Sequence, residues 1–355
     1  MGVFVFLPLV LPLTAWPVAR LAEQHLHPRT ATRLLTALAA VLALCSTVCL
    51  ALVMVVGTAQ LPGNPLPDGW SDPEVRAAVP FDEVVGKAAI PALGAVVAAC
   101  ARALWRHGRV RRRAHRALAG LPDTEVAVLP DAVPYAYALP PGRRWAGDGT
   151  GRRGTRRSST ARDPGAARPG PGPGRAPRRA AGRLHRPGKG RIVVTTALLE
   201  RLRPTERRAL FAHERAHLTA RHDRFLLTVR LAARANPFLR PLRTAVACTA
   251  ERWADEEAAR VVGSRRTVAR AIGTAALVSR GTPAPTLAGL AAPGPVPRRV
   301  AALLGPAPAV RSWPPVSTAV GLAAWGAAAG TAVSAMSSAN AAVTMVLILH
   351  AATPL

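Results

Sequence analysis

The chain has 355 residues, half of them hydrophobic, and a formal net charge of +28. A positive mean hydropathy together with that excess of base excludes an ordinary soluble domain and requires apolar runs alternating with basic ones. Four cysteines, none beside a metal-ligand partner, exclude a disulfide framework and point to a reducing interior for the soluble part.

Four apolar stretches read as membrane spans. Gly2–Ala19 comes first and ends at Arg20. A cleaved signal peptide is its alternative reading, but no basic segment precedes it and no small-residue cleavage site follows. Leu34–Ala59 has no charged residue over a length ample for a hydrocarbon core of about 30 Å. Ala88–Ala101 contains Pro91 and needs Leu104 and Trp105 to reach spanning length. Val316–Leu349 is the fourth, long enough for one tilted helix, with a re-entrant second half left open.

Loop charges orient these spans. Arg20, Arg29 and Arg33 follow the first, and Leu61–Lys87, between the second and third, is acidic. Arg102, Arg106, Arg109, Arg111, Arg112, Arg113 and Arg116 crowd the end of the third with no acid among them. Positive loops stay inside, which places the N-terminus outside and residues 106–315 in the cytoplasm. The expected division is three N-terminal spans in 1–105, a cytoplasmic domain in 106–315, and a C-terminal span with a short tail in 316–355.

Within the cytoplasmic block, Leu121–Asp131 and Pro134–Gly142 read as short strands bounded by Pro, Asp or Gly. Residues 143–189 then hold 14 Arg or Lys against two Asp, with many Gly and Pro. Such a stretch cannot bury enough surface to offset its ordering entropy and is expected to be disordered. A basic tether to anionic lipid or nucleic acid is the functional reading of this insert, and a low-complexity surface loop the plainer one. Nucleic acid is not expected as a partner, because no aromatic side chains interleave the arginines for base stacking.

"RIVVTTALLERL", Arg191–Leu202, reads as a strand leading into a helix. Pro204, Thr205 and Glu206 then start a helix whose apolar stripe runs until Asn236-Pro237. Further helices are expected over Leu242–Val262 and Arg265–Arg280, and "AAPGPVPRR" is read as a linker before the short helix "VAALLG".

Inside the first of these helices stands "HERAH", with His213 and His217 four residues apart. That spacing puts both imidazoles on one face, a turn apart, where two nitrogens reach one tetrahedral ion. Glu214, adjacent to the first histidine, is placed to take a proton from the attacking water. A catalytic zinc of this kind needs a third protein ligand, and "CTAERWADEEAARV" on the next helix supplies Glu251. Asp255, one turn further on the same face, is placed to hydrogen-bond a ligand imidazole. The plainer reading of "ERWADEE" is an acidic face paired with nearby arginines. His222 and Asp223 are read as a solvated turn closing the motif helix. Tyr135 and Tyr137 are open to oxyanion stabilisation or simple packing.

"ERRALFAHERAHLTARHDRF" followed by "AERWADEEAARV" resembles the BlaR/MecR-type antirepressor metallopeptidases, membrane-embedded gluzincins akin to the HtpX and CAAX-prenyl-protease group. "PYAYALPPG" and "RIVVTTALL" are similar to that family's strands ahead of the zinc helix. The resemblance implies a predominantly α membrane protein of about four transmembrane helices, with a cytoplasmic α+β zincin-like domain inserted between the third and fourth. It further implies one Zn(2+) per chain on His213, His217 and Glu251, Glu214 as general base, and Asp255 in support. The strand around Tyr135, Ala136 and Tyr137 would hold an extended substrate backbone by strand addition. The implied activity is zinc-dependent endopeptidase action on a cytoplasmic protein or peptide, such as a winged-helix repressor. A quality-control membrane protease and a non-enzymatic basic tether are the alternatives. β-Lactam receptors of that family continue into an extracellular penicillin-binding domain; this chain ends at Leu355, so β-lactam sensing is not carried over.

Overall fold

The computed structural model describes residues 8, 10–61, 63, 66–71, 82–122, 124–142, 190–279, 296–308, 313, 315–351 and 353. The arginine-rich insert expected to be disordered, about half of the acidic Leu61–Lys87 segment and the start of the first apolar run lie outside the described residues. What is described is mostly helical, with one small sheet.

Three of the described helices are long and apolar enough to cross a membrane. They are α2 (Pro28–Ala59), the apolar part of α3 (Asp82–Ala117) and α10 (Ala319–Ala351). α2 starts where Pro28 occupies the first turn and the His27 ring accepts the Arg29 amide. The first apolar run contributes a 3-10 turn, Leu11–Thr14, and α1 (Ala15–His25), which is 11 residues long. The fourth run, left open above as one span or a broken one, is a single helix of 33 residues. α3 passes through Pro91 without ending, and its 36 residues make a rod about 54 Å long at 1.5 Å per residue. Its arginine-bearing second half therefore projects well beyond a bilayer core of about 30 Å.

The three strands are β1 (Val126–Leu129), β2 (Ala136–Leu139) and β3 (Arg191–Thr195). β3 lies in the centre, parallel to β1 and antiparallel to β2, with Val126 opposite Ile192 and Ala136 opposite Val194. Ile192, Val193 and Val194 are fully buried, as a central β-branched run should be. Among the described residues, no strand pairs the other edge of β2.

From β3 the chain enters α4 (Thr196–Arg201), capped by the Thr195 hydroxyl, and then α5 (Pro204–Ala220). At the start of α5, Pro204 fills the first turn and Glu206 accepts the Arg203 amide at 3.0 Å. α5 ends at Arg221, which adopts a left-handed conformation at φ 54°, and α6 (His222–Ala235) begins at once. α7 (Arg240–Val262), α8 (Arg265–Val278) and α9 (Val296–Leu304) follow. The segment read as a linker before "VAALLG" thus supplies the first turn of α9.

The core does not separate membrane helices from the remainder. Leu35, Leu38 and Leu42 of α2 pack with Val229 of α6 and Leu242 and Val246 of α7 in one cluster. Buried polar contacts reinforce it: Thr32 Oγ1 donates to Thr249 Oγ1 at 2.9 Å, and Asn236 Nδ2 to Ser46 Oγ at 3.0 Å. At the other end of α2, Gly57 meets Gly86 of α3 so closely that a Cβ on Gly57 would overlap the Gly86 carbonyl carbon. Small residues permit such backbone approach between membrane helices.

Gly57→Ala should therefore lower the unfolding temperature of the detergent-purified protein, by overpacking worth about 1–3 kcal/mol. Gly94→Ala, on the same α3 but with nothing near the added methyl, should not. Equal melting of both variants would show that the crossing is not tight.

Candidate metal centre and cleft

α5 and α7 cross through alanines. Ala212 and Ala216 on one side, and Ala250, Ala254 and Ala258 on the other, are all buried. Their small side chains let the helices approach closely enough for His213 and His217 to meet Glu251. His213 Nε2 and His217 Nε2 are 3.1 Å apart, and lie 3.5 and 3.4 Å from the two Glu251 oxygens. Ligands about 2.0–2.1 Å from a tetrahedral ion sit about 3.3 Å from one another, so these three edges match a zinc-sized cation. The donor set of two imidazoles and one carboxylate fits zinc, with room for one more ligand.

Each histidine has a partner behind it. His213 Nδ1 lies 2.9 Å from Asp255 Oδ1. Asp255 is in turn gripped by Arg299 of α9, whose Nε and Nη2 donate to its two oxygens at 2.8 and 2.6 Å. Arg299 Nη1 also reaches Glu251 Oε2 at 3.0 Å. Behind His217 stands His222, with the two Nδ1 atoms 2.8 Å apart. The structure corrects the reading of His222 as a solvated turn: it is 1% exposed and packs on Trp253 at 4.7 Å between ring centroids. The left-handed turn at Arg221 brings it there, one residue after α5 stops. Asp223, by contrast, stays at the rim, 3.7 Å from Arg111.

Electrostatics follow from burial and these partners. Burial works against charge on His213, but Asp255 and Glu251 outweigh it and raise its pKa to about 10 in the metal-free site. Burial lowers His217 to about 4 despite Glu251, and burial together with His217 lowers His222 to about 2. In its Nε2–H tautomer a neutral His222 accepts the His217 Nδ1 proton, and that arrangement leaves His217 Nε2 free toward Glu251. Burial would raise Glu251, yet His217 and Arg299 hold it well below the usual carboxylate range. Asp255 is held down likewise, with the Arg299 and His213 hydrogen bonds overriding burial. Glu214 lacks such a grip: burial raises it to about 7, only partly opposed by His213, Arg299 and a hydrogen bond from the Ala138 amide.

The site opens into a cleft of about 560 Å³ lined by β2, α5, α6, α8 and the far half of α3. Tyr135, Ala136 and Tyr137 all line it. The Tyr135 hydroxyl donates to Asp131 at 3.1 Å and its ring stacks with Tyr137, an arrangement that serves packing. Tyr135 accepts the Thr195 amide on β3 at 3.1 Å. By strand alternation, Ala136 and Ala138 then turn their backbone groups toward the free edge, where Ala138 meets Glu214. Arg299 is the residue sequence reasoning missed. In the sequence it is only the second of two adjacent arginines closing a Pro- and Gly-rich stretch.

Two outcomes test this geometry. Arg299→Gln and His222→Ala should each weaken zinc affinity about 10–100-fold without removing a ligand, as loss of such supporting groups does. Competition with a chelating dye measures this, and unchanged affinity in both variants would contradict the arrangement. Second, below pH 10 the metal-free His213 carries a proton that a cation must displace. Zinc affinity should therefore rise with pH across the neutral range, by up to about tenfold per unit from this proton, and uptake should acidify a weakly buffered sample.

Residues 180–239 match the model of Peptidase family M48. The matched segment holds β3, α4, α5 and α6, and so both histidines and Glu214, and stops before Glu251. No curated protein and no solved structure shows significant similarity to the chain. Over those 60 residues the chain is similar to Peptidase family M48, and the His213–His217–Glu251 cluster is one that could hold a metal ion.

Proposed function

We propose that the protein is an integral-membrane zinc endopeptidase that cuts a protein or peptide on the cytoplasmic side. The observation that carries this reading is the triangle of His213, His217 and Glu251 with Glu214 buried beside it, facing a free strand edge. Arginines crowding the end of α3, set against an acidic loop before it, support a cytoplasmic position for the catalytic side. The resemblance to BlaR/MecR-type proteins supports regulatory cleavage of a cytoplasmic protein such as a transcriptional repressor.

Bound at His213, His217 and Glu251, one zinc ion would supply Lewis acidity toward the scissile carbonyl and the attacking water. The chain's residues do the rest. An extended substrate adds to the outer edge of β2 through the amide and carbonyl of Ala136 and the carbonyl of Ala138, whose own amide holds Glu214 beside it. Glu214, near neutrality in its pKa, takes the water proton and returns it to the leaving amine. Asp255, Arg299 and His222 hold the imidazoles and Glu251 in place, and the alanine-lined crossing keeps bulk water out.

Glu214→Gln should retain zinc yet lose at least about 10²–10⁴-fold in kcat against an unfolded reporter protein. Full activity in that variant would remove Glu214 from the reaction. Activity of the wild type should fall as pH drops, because the base must be ionised. The limb should lie below the value of about 7 for the metal-free site, since a neighbouring dication favours the carboxylate.

A further inference from the structure

α6 and α7 form a hairpin whose turn lies far along α2. Thr249 of α7 meets Thr32, at the metal-centre end of α2, and Asn236 in the turn meets Ser46. Thr32 and Ser46 are 14 residues apart on α2, about 21 Å. Leu34–Ala59 carries no charge over 26 residues, about 39 Å of helix. Wherever a hydrocarbon core of about 30 Å falls within that run, Ser46 lies at least about 9 Å inside it. The turn, Asn236–Arg240, reaches the same depth.

Its backbone suits that place, where every amide donor must find an acceptor within the protein. The Asn236 amide donates to the Ala232 carbonyl at 2.8 Å, and the Phe238 amide to the Asn236 side chain at 3.0 Å. The Leu239 amide donates to the Asn236 carbonyl at 3.0 Å, and the Arg240 amide to the Pro237 carbonyl. Pro237 and Pro241 have no amide to satisfy. The Asn236 side-chain nitrogen is taken up by Ser46. At the tip Phe238 faces outward, 57% exposed.

A band of indole and guanidinium marks the height of the headgroups. Counted from the Gly57–Gly86 crossing, Trp105 of α3 comes level with Leu38 of α2. Trp105 is exposed, has Arg109 over its ring at 4.6 Å, and stands between Arg102 and Arg106 in the sequence. Tryptophan gathers at the membrane–water boundary, where its ring meets the headgroups. Counted from Thr249, Arg243 and Arg240 of α7 come level with Leu38 and Val41. Both are exposed, and neither side chain forms an ion pair among the described residues. We propose that the α6–α7 turn is a wedge seated in the lipid leaflet on the metal-centre side, with Phe238 among the acyl chains and Arg240 and Arg243 on the phosphates of anionic phospholipids. Guanidinium pairs its N–H donors with phosphate oxygens, while its aliphatic stem lies against apolar surroundings. The proposal needs α2 and α3 to span the membrane, but not the peptidase reading.

Two measurements on the full chain test the two halves of this proposal. An environment-sensitive fluorescent amino acid would replace Phe238, or for comparison the exposed Arg266 of α8, in nanodiscs of equal parts phosphatidylcholine and phosphatidylglycerol. Spin labels on the acyl chains should remove at least about half of the emission at position 238 and leave position 266 bright. Equal quenching at the two positions overturns the wedge. Native mass spectrometry of the detergent-purified protein would then compare binding of phosphatidylglycerol with that of phosphatidylcholine. Arg240→Gln/Arg243→Gln should weaken phosphatidylglycerol binding about tenfold or more and leave phosphatidylcholine unchanged. Arg240→Lys/Arg243→Lys should keep most of the preference, since charge rather than folding is being read, and Arg266→Gln/Arg270→Gln on α8 should change neither lipid. No preference for phosphatidylglycerol in the wild type, or a preference unmoved by Arg240→Gln/Arg243→Gln, overturns the headgroup contact.

Discussion

Keeping three carboxylates in an alanine-lined helix crossing is the constraint on which the site depends. Glu214, Glu251 and Asp255 are 8%, 7% and 1% exposed, and taking like charges out of water favours their protonation. Arg299 changes that balance by reaching Asp255 with two donors and Glu251 with a third. Asp255 can then stay ionised against His213, and Glu251 can offer a lone pair rather than a proton. Glu214, without that grip, is the one left near neutrality, where a proton acceptor is most useful. A single side chain from α9 therefore separates the two carboxylates held ionised, Glu251 and Asp255, from Glu214. Removing one partner of such a buried cluster is costly because the other charges remain.

The site is also built on the membrane helices rather than beside them. α2 packs against both α6 and α7, and Thr32 bonds Thr249 two residues before Glu251. Arg29 and Arg33 of α2 lie over Trp253, which packs against His222 behind His217. The far half of α3 closes one wall of the cleft. A shift of α2 or α3 would therefore be felt at the imidazoles through direct contacts.

Much of this was legible in the sequence, for reasons that differ by element. His213, Glu214 and His217 declare themselves because a helix converts a fixed spacing into a shared face. Glu251 and Asp255 could be proposed because four residues again make one face, although only the folded chain shows that this face meets the histidines. The short strands were readable from their Pro and Gly boundaries, and the long spans from uninterrupted apolar length. His222 was misread because its turn is made by Arg221 in a left-handed conformation, without the Gly or Asn that normally marks one. Arg299 lay 44 positions beyond its partner, in a Pro- and Gly-rich stretch that looks like a linker. Neither Arg298 nor Arg299 carries a local sign of the carboxylate it will find.

The most direct test of the account is X-ray absorption at the zinc edge on the zinc-loaded protein, with Glu251→Ala for comparison. The account predicts two imidazole nitrogens plus oxygen ligands at about 2.0–2.1 Å, and a disordered or lost first shell when Glu251 is removed. Zinc absent from folded protein, or held by sulfur at about 2.3 Å, would contradict it.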